Sequence, residues 1–89
     1  PKYTEPEVPG LTVTAWPNPT VAHFNVKVSS PMKETVMIRM YDMQGKLVEI
    51  KSGAPGNTYL MGGGVPGGMY MIEVSQGVKR QMLKLVKTN

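Results

Sequence analysis

Glycine and proline interrupt this chain so often that it has no room for long helices. The 89 residues include 10 glycines and 8 prolines, spread along the whole length. Glycine favours tight turns and proline removes a backbone donor, so both tend to end regular elements. The chain is therefore expected to form short strands joined by turns.

Apolar and polar residues alternate in the segments between these breaks. In the clearest case, Phe24, Val26 and Val28 alternate with polar neighbours. A period of two places one set of side chains on one face of a strand. Similar runs lie at residues 11–15, 36–41, 47–51, 70–74 and 81–87, and residues 58–61 add a shorter strand. About seven short strands with frequent turn signals predict an all-β fold, an immunoglobulin-like antiparallel β-sandwich.

The apolar face of each strand predicts the core. A chain of this length buries about 60% of the surface that its unfolded form exposes, which suits one domain. The predicted core consists of Leu11, Val13, Phe24, Val26, Val28, Val36, Ile38, Met40, Val48, Ile50, Tyr70, Ile72, Val74, Leu83 and Leu85.

A turn built around Gly45 separates two of the runs. In Asp42-Met43-Gln44-Gly45-Lys46, the aspartate carboxylate can accept hydrogen bonds from backbone amides at the start of the turn. Gly45 stands where a left-handed residue is needed, as in a type I turn followed by a bulge. The sequence therefore predicts a β-hairpin over residues 36–51.

The two ends of the chain differ in composition. Residues 1–10 contain three prolines and two glutamates, which predicts an extended, proline-rich linker before a folded domain at residues 11–89. The net charge is +4, and no acidic residue follows Glu73, so the last strand is basic. Such a strand is either a solvated edge or a contact surface.

The residues needed for catalysis or for binding a cofactor are scarce. The chain has one histidine, His23, one aspartate, Asp42, and no cysteine. This set excludes a thiolate metal site, and a strand histidine with a turn aspartate does not make a catalytic triad. The glycines of residues 62–67 match a dinucleotide-binding motif, but no helix follows them to receive a phosphate. We therefore expect no enzymatic activity and no cofactor.

The sequence pattern also argues against nucleic-acid binding and against a membrane-spanning helix. An RNA-binding sheet interleaves basic residues with exposed aromatic rings, whereas Arg39 has only Tyr41 beside it on its face. No run approaches the roughly 18 apolar residues that a membrane-spanning helix needs. We expect neither nucleic-acid binding nor a membrane span.

Six short motifs follow one another in a specific order along residues 11–87. They are Trp16-Pro17-Asn18-Pro19-Thr20, Phe24-Asn25-Val26, Tyr41-Asp42-Met43-Gln44-Gly45-Lys46-Leu47-Val48, Pro66-Gly67-Gly68-Met69-Tyr70, Ser75-Gln76-Gly77 and Lys84-Leu85-Val86-Lys87. The ordered set resembles the type A C-terminal sorting domain carried by cargo proteins of the type IX (Por) secretion system. The residues that carry the resemblance most directly are Pro17, Asn18, Pro19, Tyr41, Asp42, Gly45, Gly68, Tyr70 and Gly77.

The resemblance implies an export signal that performs no reaction. In that family the domain follows an N-terminal cargo domain through the periplasm and is recognised by a receptor of the outer-membrane translocon. A sortase-like cysteine protease then normally removes it and anchors the cargo at the cell surface, or the cargo is secreted. The cut precedes the first strand, which would place it at or near residues 1–10 of this chain.

The last strand is the expected recognition site. We hypothesise that the receptor reads Lys84, Leu85, Val86 and Lys87, because the strand is terminal and free of acidic residues. Such an edge can add to a receptor strand or seat its end in a pocket, and positive charge steers the approach.

Two other functions compete with this hypothesis. An immunoglobulin-like adhesion or carbohydrate-binding module would use Trp16 and Tyr59 as a stacking platform. A structural spacer would self-associate through the outward-facing Met37, Met69 and Met71.

Overall fold

Seven strands make up the structure of the protein. The computed structural model describes residues 10–88, so residues 1–9 of the expected linker and Asn89 lie outside the described residues. The strands are β1 (Thr12–Trp16), β2 (Phe24–Ser29), β3 (Val36–Asp42), β4 (Leu47–Gly53), β5 (Thr58–Met61), β6 (Gly68–Gln76) and β7 (Lys79–Lys87). Residues 10–88 include no helix long and apolar enough to cross a membrane.

The strands form two antiparallel sheets that pack face to face. The smaller sheet has the order β1-β2-β5, and the larger has the order β4-β3-β6-β7. After β4, the chain leaves the larger sheet and adds β5 to the smaller one, so strands of both sheets supply the core. This arrangement confirms the predicted all-β sandwich and its seven strands.

The hydrophobic core lies between the two sheets. Its buried members are Leu11, Phe24, Val26, Val28, Val36, Ile38, Met40, Met61, Tyr70, Ile72, Val74 and Leu85. Eleven of these were expected, while Met61 was not. Val13, Val48 and Leu83, also expected, are only partly buried at the rim of the core.

Ile50 is a wrong prediction, because it points away from the core and is 49% exposed. It pairs with Arg39, which lies on the outer face of β3. A register shift between Met40 and Tyr41 adds one residue to β4 at this point. The extra residue exchanges the two faces of β4. Glu49 and Lys51 therefore lie opposite the inward-facing residues of β3, and Ile50 lies on the outer face.

Different segments of the chain lie at the two ends of the sandwich. At one end, Gly10 lies against Pro31 and Lys79, next to the turn between β6 and β7. At the other end, residues 17–23, the β3–β4 turn and residues 62–67 surround the end of β7. We call the first the linker pole and the second the motif pole. Since β6 has nine residues, the poles lie about 30 Å apart.

Candidate recognition site

The turn at Asp42 contributes a rigid corner to the motif pole. Its carboxylate Oδ1 accepts hydrogen bonds from the backbone N–H groups of Gln44 and Lys46, both at 2.9 Å. The Gly45 amide donates to the carbonyl of Asp42 at 3.0 Å, and Gly45 has a φ of 85°. The predicted turn chemistry is therefore confirmed.

Tyr70 fastens a second loop at the same pole. Its ring is buried, it lies opposite Asp42 in the sheet, and its hydroxyl donates to the carbonyl of Pro66 at 2.5 Å. Gly68 begins β6 two residues earlier. The aromatic residue thus anchors the loop that leads into its own strand.

Lys87 is buried in the motif pole, although a terminal lysine was expected to display its charge. It is 4% exposed, and its ammonium donates to the carbonyls of Gly62 and Val65 at 2.8 Å and of Gly63 at 3.4 Å. None of the ion pairs among residues 10–88 includes it. The charge is instead satisfied by carbonyl dipoles. Lys87 therefore fixes the conformation of residues 62–67, which we call the glycine-rich loop.

The edge of β7 near its end is occupied, contrary to the open edge that was expected. The Asn18 side-chain amide donates to the carbonyl of Lys84 at 3.0 Å and accepts from the amide of Val86 at 2.9 Å. Thr20 then donates to the carbonyl of Val86 and accepts from the amide of Thr88, at 2.9 and 2.8 Å. We call residues 18–20 the strap. Because the strap saturates this edge, a receptor strand cannot add here while the strap stays in place.

The four residues of the recognition hypothesis differ in accessibility. Leu85 is 0% exposed and belongs to the core, and Lys87 is buried against the loop of residues 62–67. Lys84 is exposed and Val86 is half-buried, and both lie on the outer face of the larger sheet. Two of the four side chains can therefore touch a partner, and the other two hold them in position.

Most of the family-motif residues meet at the motif pole, but Gly77 does not. Residues 17–19, the Asp42 turn, Gly68 and Tyr70 all surround the end of β7. Gly77 lies in the β6–β7 turn at the linker pole, with a φ of 60°. A Cβ atom there would approach a Glu34 carboxylate oxygen to 3.1 Å. The positive φ and the close Glu34 side chain explain locally why residue 77 is a glycine.

Trp16 and Tyr59 do not form the stacking platform that a carbohydrate-binding module would use. Trp16 is 42% exposed and lies in register with Asn25 on the outer face of the smaller sheet. Tyr59 pairs with Val26, which faces the core, and its hydroxyl donates to the carbonyl of Ala54 at 2.6 Å. Since the two rings lie on opposite faces of the sheet, they cannot stack on one sugar.

Removing the Asn18 side chain tests the strap directly. We expect Asn18→Ala to lower the free energy of unfolding by about 1 to 2 kcal/mol, because two hydrogen bonds to the β7 backbone are lost. Urea denaturation of the purified chain measures the change. Asn57→Ala, in an exposed loop, is the matched control, with a change within about 0.5 kcal/mol. Equal effects of the two substitutions would show that the strap does not stabilise β7.

Comparison with known proteins identifies the family of this chain. The model of the family described as the secretion system C-terminal sorting domain matches residues 14–88. No curated protein and no solved structure matches the chain. The matched segment extends from β1 to the residue after β7 and contains every strand-end motif described above. The chain therefore belongs to the family of C-terminal sorting domains of the type IX secretion system.

Proposed function

We propose that this domain directs an N-terminal cargo across the outer membrane and that the translocon receptor reads it at the motif pole. The sorting role rests on the family match over residues 14–88. The choice of the pole rests on the meeting of distant motif residues around one strand end.

The distance between the poles supports this assignment. A cargo joined before Gly10 leaves from the linker pole, about 30 Å from the motif pole. A receptor can therefore approach the motif pole without meeting the cargo. A site at the linker pole would be shielded by any large cargo domain.

The four hypothesised residues have different parts in this proposal. Lys84 and Val86 contact the receptor with their outward side chains. Leu85 and Lys87 are positioning residues, because one fills the core and the other fixes the glycine-rich loop. The strap remains on the β7 edge, so recognition reads side chains and loop shape and does not add a strand at this end.

The later steps belong to the same proposal. The cargo passes through the periplasm, a sortase-like cysteine protease of the secretion system cuts before β1, and the cargo arrives at the cell surface or in the medium. The proline-rich composition of residues 1–10 supports an extended, protease-accessible site there. The domain itself supplies no catalytic group in these steps.

A reporter fusion tests the sorting role. A fluorescent protein with a signal peptide is joined to all 89 residues and expressed in a strain with a working type IX system and in a translocon mutant. We expect fluorescence on the surface or in the medium only in the working strain. Mass spectrometry of the exported reporter then gives the cut. A fusion that stays in the periplasm of the working strain would contradict the sorting role.

A further inference from the structure

The β4 edge of the larger sheet is unpaired among residues 10–88. β4 pairs with β3 on one side, and none of the seven described strands pairs with its other side. The strap covers the end of the opposite edge, at β7, but no similar segment within residues 10–88 covers β4. An unpaired edge presents backbone N–H and C=O groups that another strand can bind.

The register of the sheet shows which backbone groups of β4 are free. The strap bonds show that Val86 directs its N–H and C=O away from β6. Neighbouring residues of an antiparallel strand direct these groups to alternate sides. Following the pairings from β7 through β6 and β3 places the N–H and C=O groups of Ile50 and Ser52 on the free edge of β4.

The charges on the β4 edge are complementary to those on the same edge of a second copy. Edge strands are often guarded by charged side chains, especially lysine, which oppose pairing with another strand. Here Glu49 and Lys51, which lie 3.9 Å apart, flank the exposed Ile50 with opposite signs. A two-fold axis at Ile50 would bring each glutamate opposite the lysine of another copy.

We propose that β4 pairs antiparallel with β4 of a second copy of this chain, around a two-fold axis at Ile50. The free groups of Ile50 then exchange hydrogen bonds with those of Ile50 in the second copy. In the same register, Glu49 lies opposite Lys51 and Val48 lies opposite Ser52. The two larger sheets become one continuous sheet, and opposite charges face each other directly across the strands.

The space beside β4 is open enough for this pairing. A cleft of about 530 Å³ lies beside the beginning of this edge, at Val48 and Glu49. It is lined by His23, Val48, Glu49, Leu60, Gly63, Gly64 and Val65. The cleft leaves room for side chains of a second strand beside Val48 and Glu49. The dimer goes beyond the sorting role, and its test requires no secretion machinery.

Sedimentation velocity over a concentration series tests the dimer. We expect the mass of the full 89-residue chain to rise toward that of two copies. Lys51→Glu places like charges opposite each other, so it should weaken dimerisation by roughly 10-fold or more. Glu49→Lys should weaken it at least as much, because it also removes the acceptor of the Gly62 amide. Lys27→Glu, a charge reversal on the exposed face of β2, is the matched control and should leave dimerisation unchanged.

Mixing the two weakened variants gives the decisive result. Residues 49 and 51 are both acidic in Lys51→Glu and both basic in Glu49→Lys, so the mixture should form a heterodimer at a concentration where each variant alone dimerises only weakly. In the wild-type dimer, the Ile50 amide should also exchange with solvent more slowly than in the monomer.

Three outcomes would overturn the proposal. One is a chain that stays monomeric up to about 1 mM. Another is a mixture of the variants that stays monomeric. The third is a wild-type dimer that survives Lys51→Glu but is lost on Met71→Lys, because that dimer would use the outer face of the larger sheet.

Discussion

Replacing Lys87 by methionine is expected to lower the free energy of unfolding by about 2 to 4 kcal/mol. Methionine fills similar space but donates no hydrogen bond, so the carbonyls of Gly62, Gly63 and Val65 lose their ammonium partner. The Gly62 carbonyl has the most to lose, because it is buried and water does not replace the bond. For a domain of this size, such a loss is a large share of a stability of about 5 to 13 kcal/mol.

Lys84→Met is the matched control for this prediction. It makes the same change of side chain three residues earlier on β7, at an exposed position. Its effect should stay within about 0.5 kcal/mol. Urea denaturation of both variants measures the difference, and amide exchange at residues 62–67 shows whether the loop has loosened. Equal stabilities for the two variants would mean that the Lys87 ammonium does not hold the loop.

Gly62→Ala is expected to destabilise the domain by about 2 to 4 kcal/mol, through two separate costs. The residue has a φ of 82°, where a side chain is strained. An added Cβ would also lie 3.0 Å from the Phe24 ring and 3.3 Å from the Met40 methyl, both within the packed core. The amide of Gly62 donates to the Glu49 carboxylate at 2.8 Å, so the loop cannot shift freely to relieve the contact.

Gly45→Ala separates the two costs of the previous substitution. Gly45 has nearly the same φ, 85°, but no atom lies within 4 Å of the position of an added Cβ. Only the backbone cost remains, so we expect a loss of about 1 kcal/mol. Thermal or urea denaturation of both variants gives the difference. If Gly45→Ala costs as much as Gly62→Ala, crowding against Phe24 contributes nothing.

Features that depend on neighbouring residues could be predicted from the sequence. The Asp42 turn is one, because a carboxylate, a glycine and two short apolar runs within a few residues determine it. The alternation of Phe24, Val26 and Val28 is another, since one buried face specifies a strand. Together these local signals were enough for the all-β sandwich and most of its core.

Features that depend on distant partners could not be predicted from local patterns. The Asn18 amide meets Lys84, 66 residues later, and Lys87 meets Gly62, 25 residues earlier. The residues next to a hydrophilic side chain in the sequence do not show whether it will be buried or will bond to the edge of a distant strand. Ile50 was misplaced for a related reason, because one extra residue in β4 reverses the faces and leaves the apolar alternation unchanged. The signal that points to the strap is the pair of prolines around Asn18, which the family motif contains.

Deleting the end of β7 cannot separate recognition from folding. Residues 84–89 include Leu85, from the core, and Lys87, which holds the loop, so their removal would unfold the domain as well as remove the signal. An exposed substitution is needed to separate the two. Lys84 meets this need, because its side chain lies outside the core at the motif pole.

The most direct measurement compares the export of reporter fusions that carry Lys84→Glu or Lys33→Glu. Both residues are exposed, but Lys84 lies at the motif pole and Lys33 lies in the loop of the linker pole. Denaturation first confirms that both variants are as stable as the wild type. If the receptor reads the motif pole, Lys84→Glu lowers surface delivery by about 10-fold while Lys33→Glu leaves it unchanged. Equal delivery of the two fusions, or a loss confined to Lys33→Glu, would contradict recognition at the motif pole.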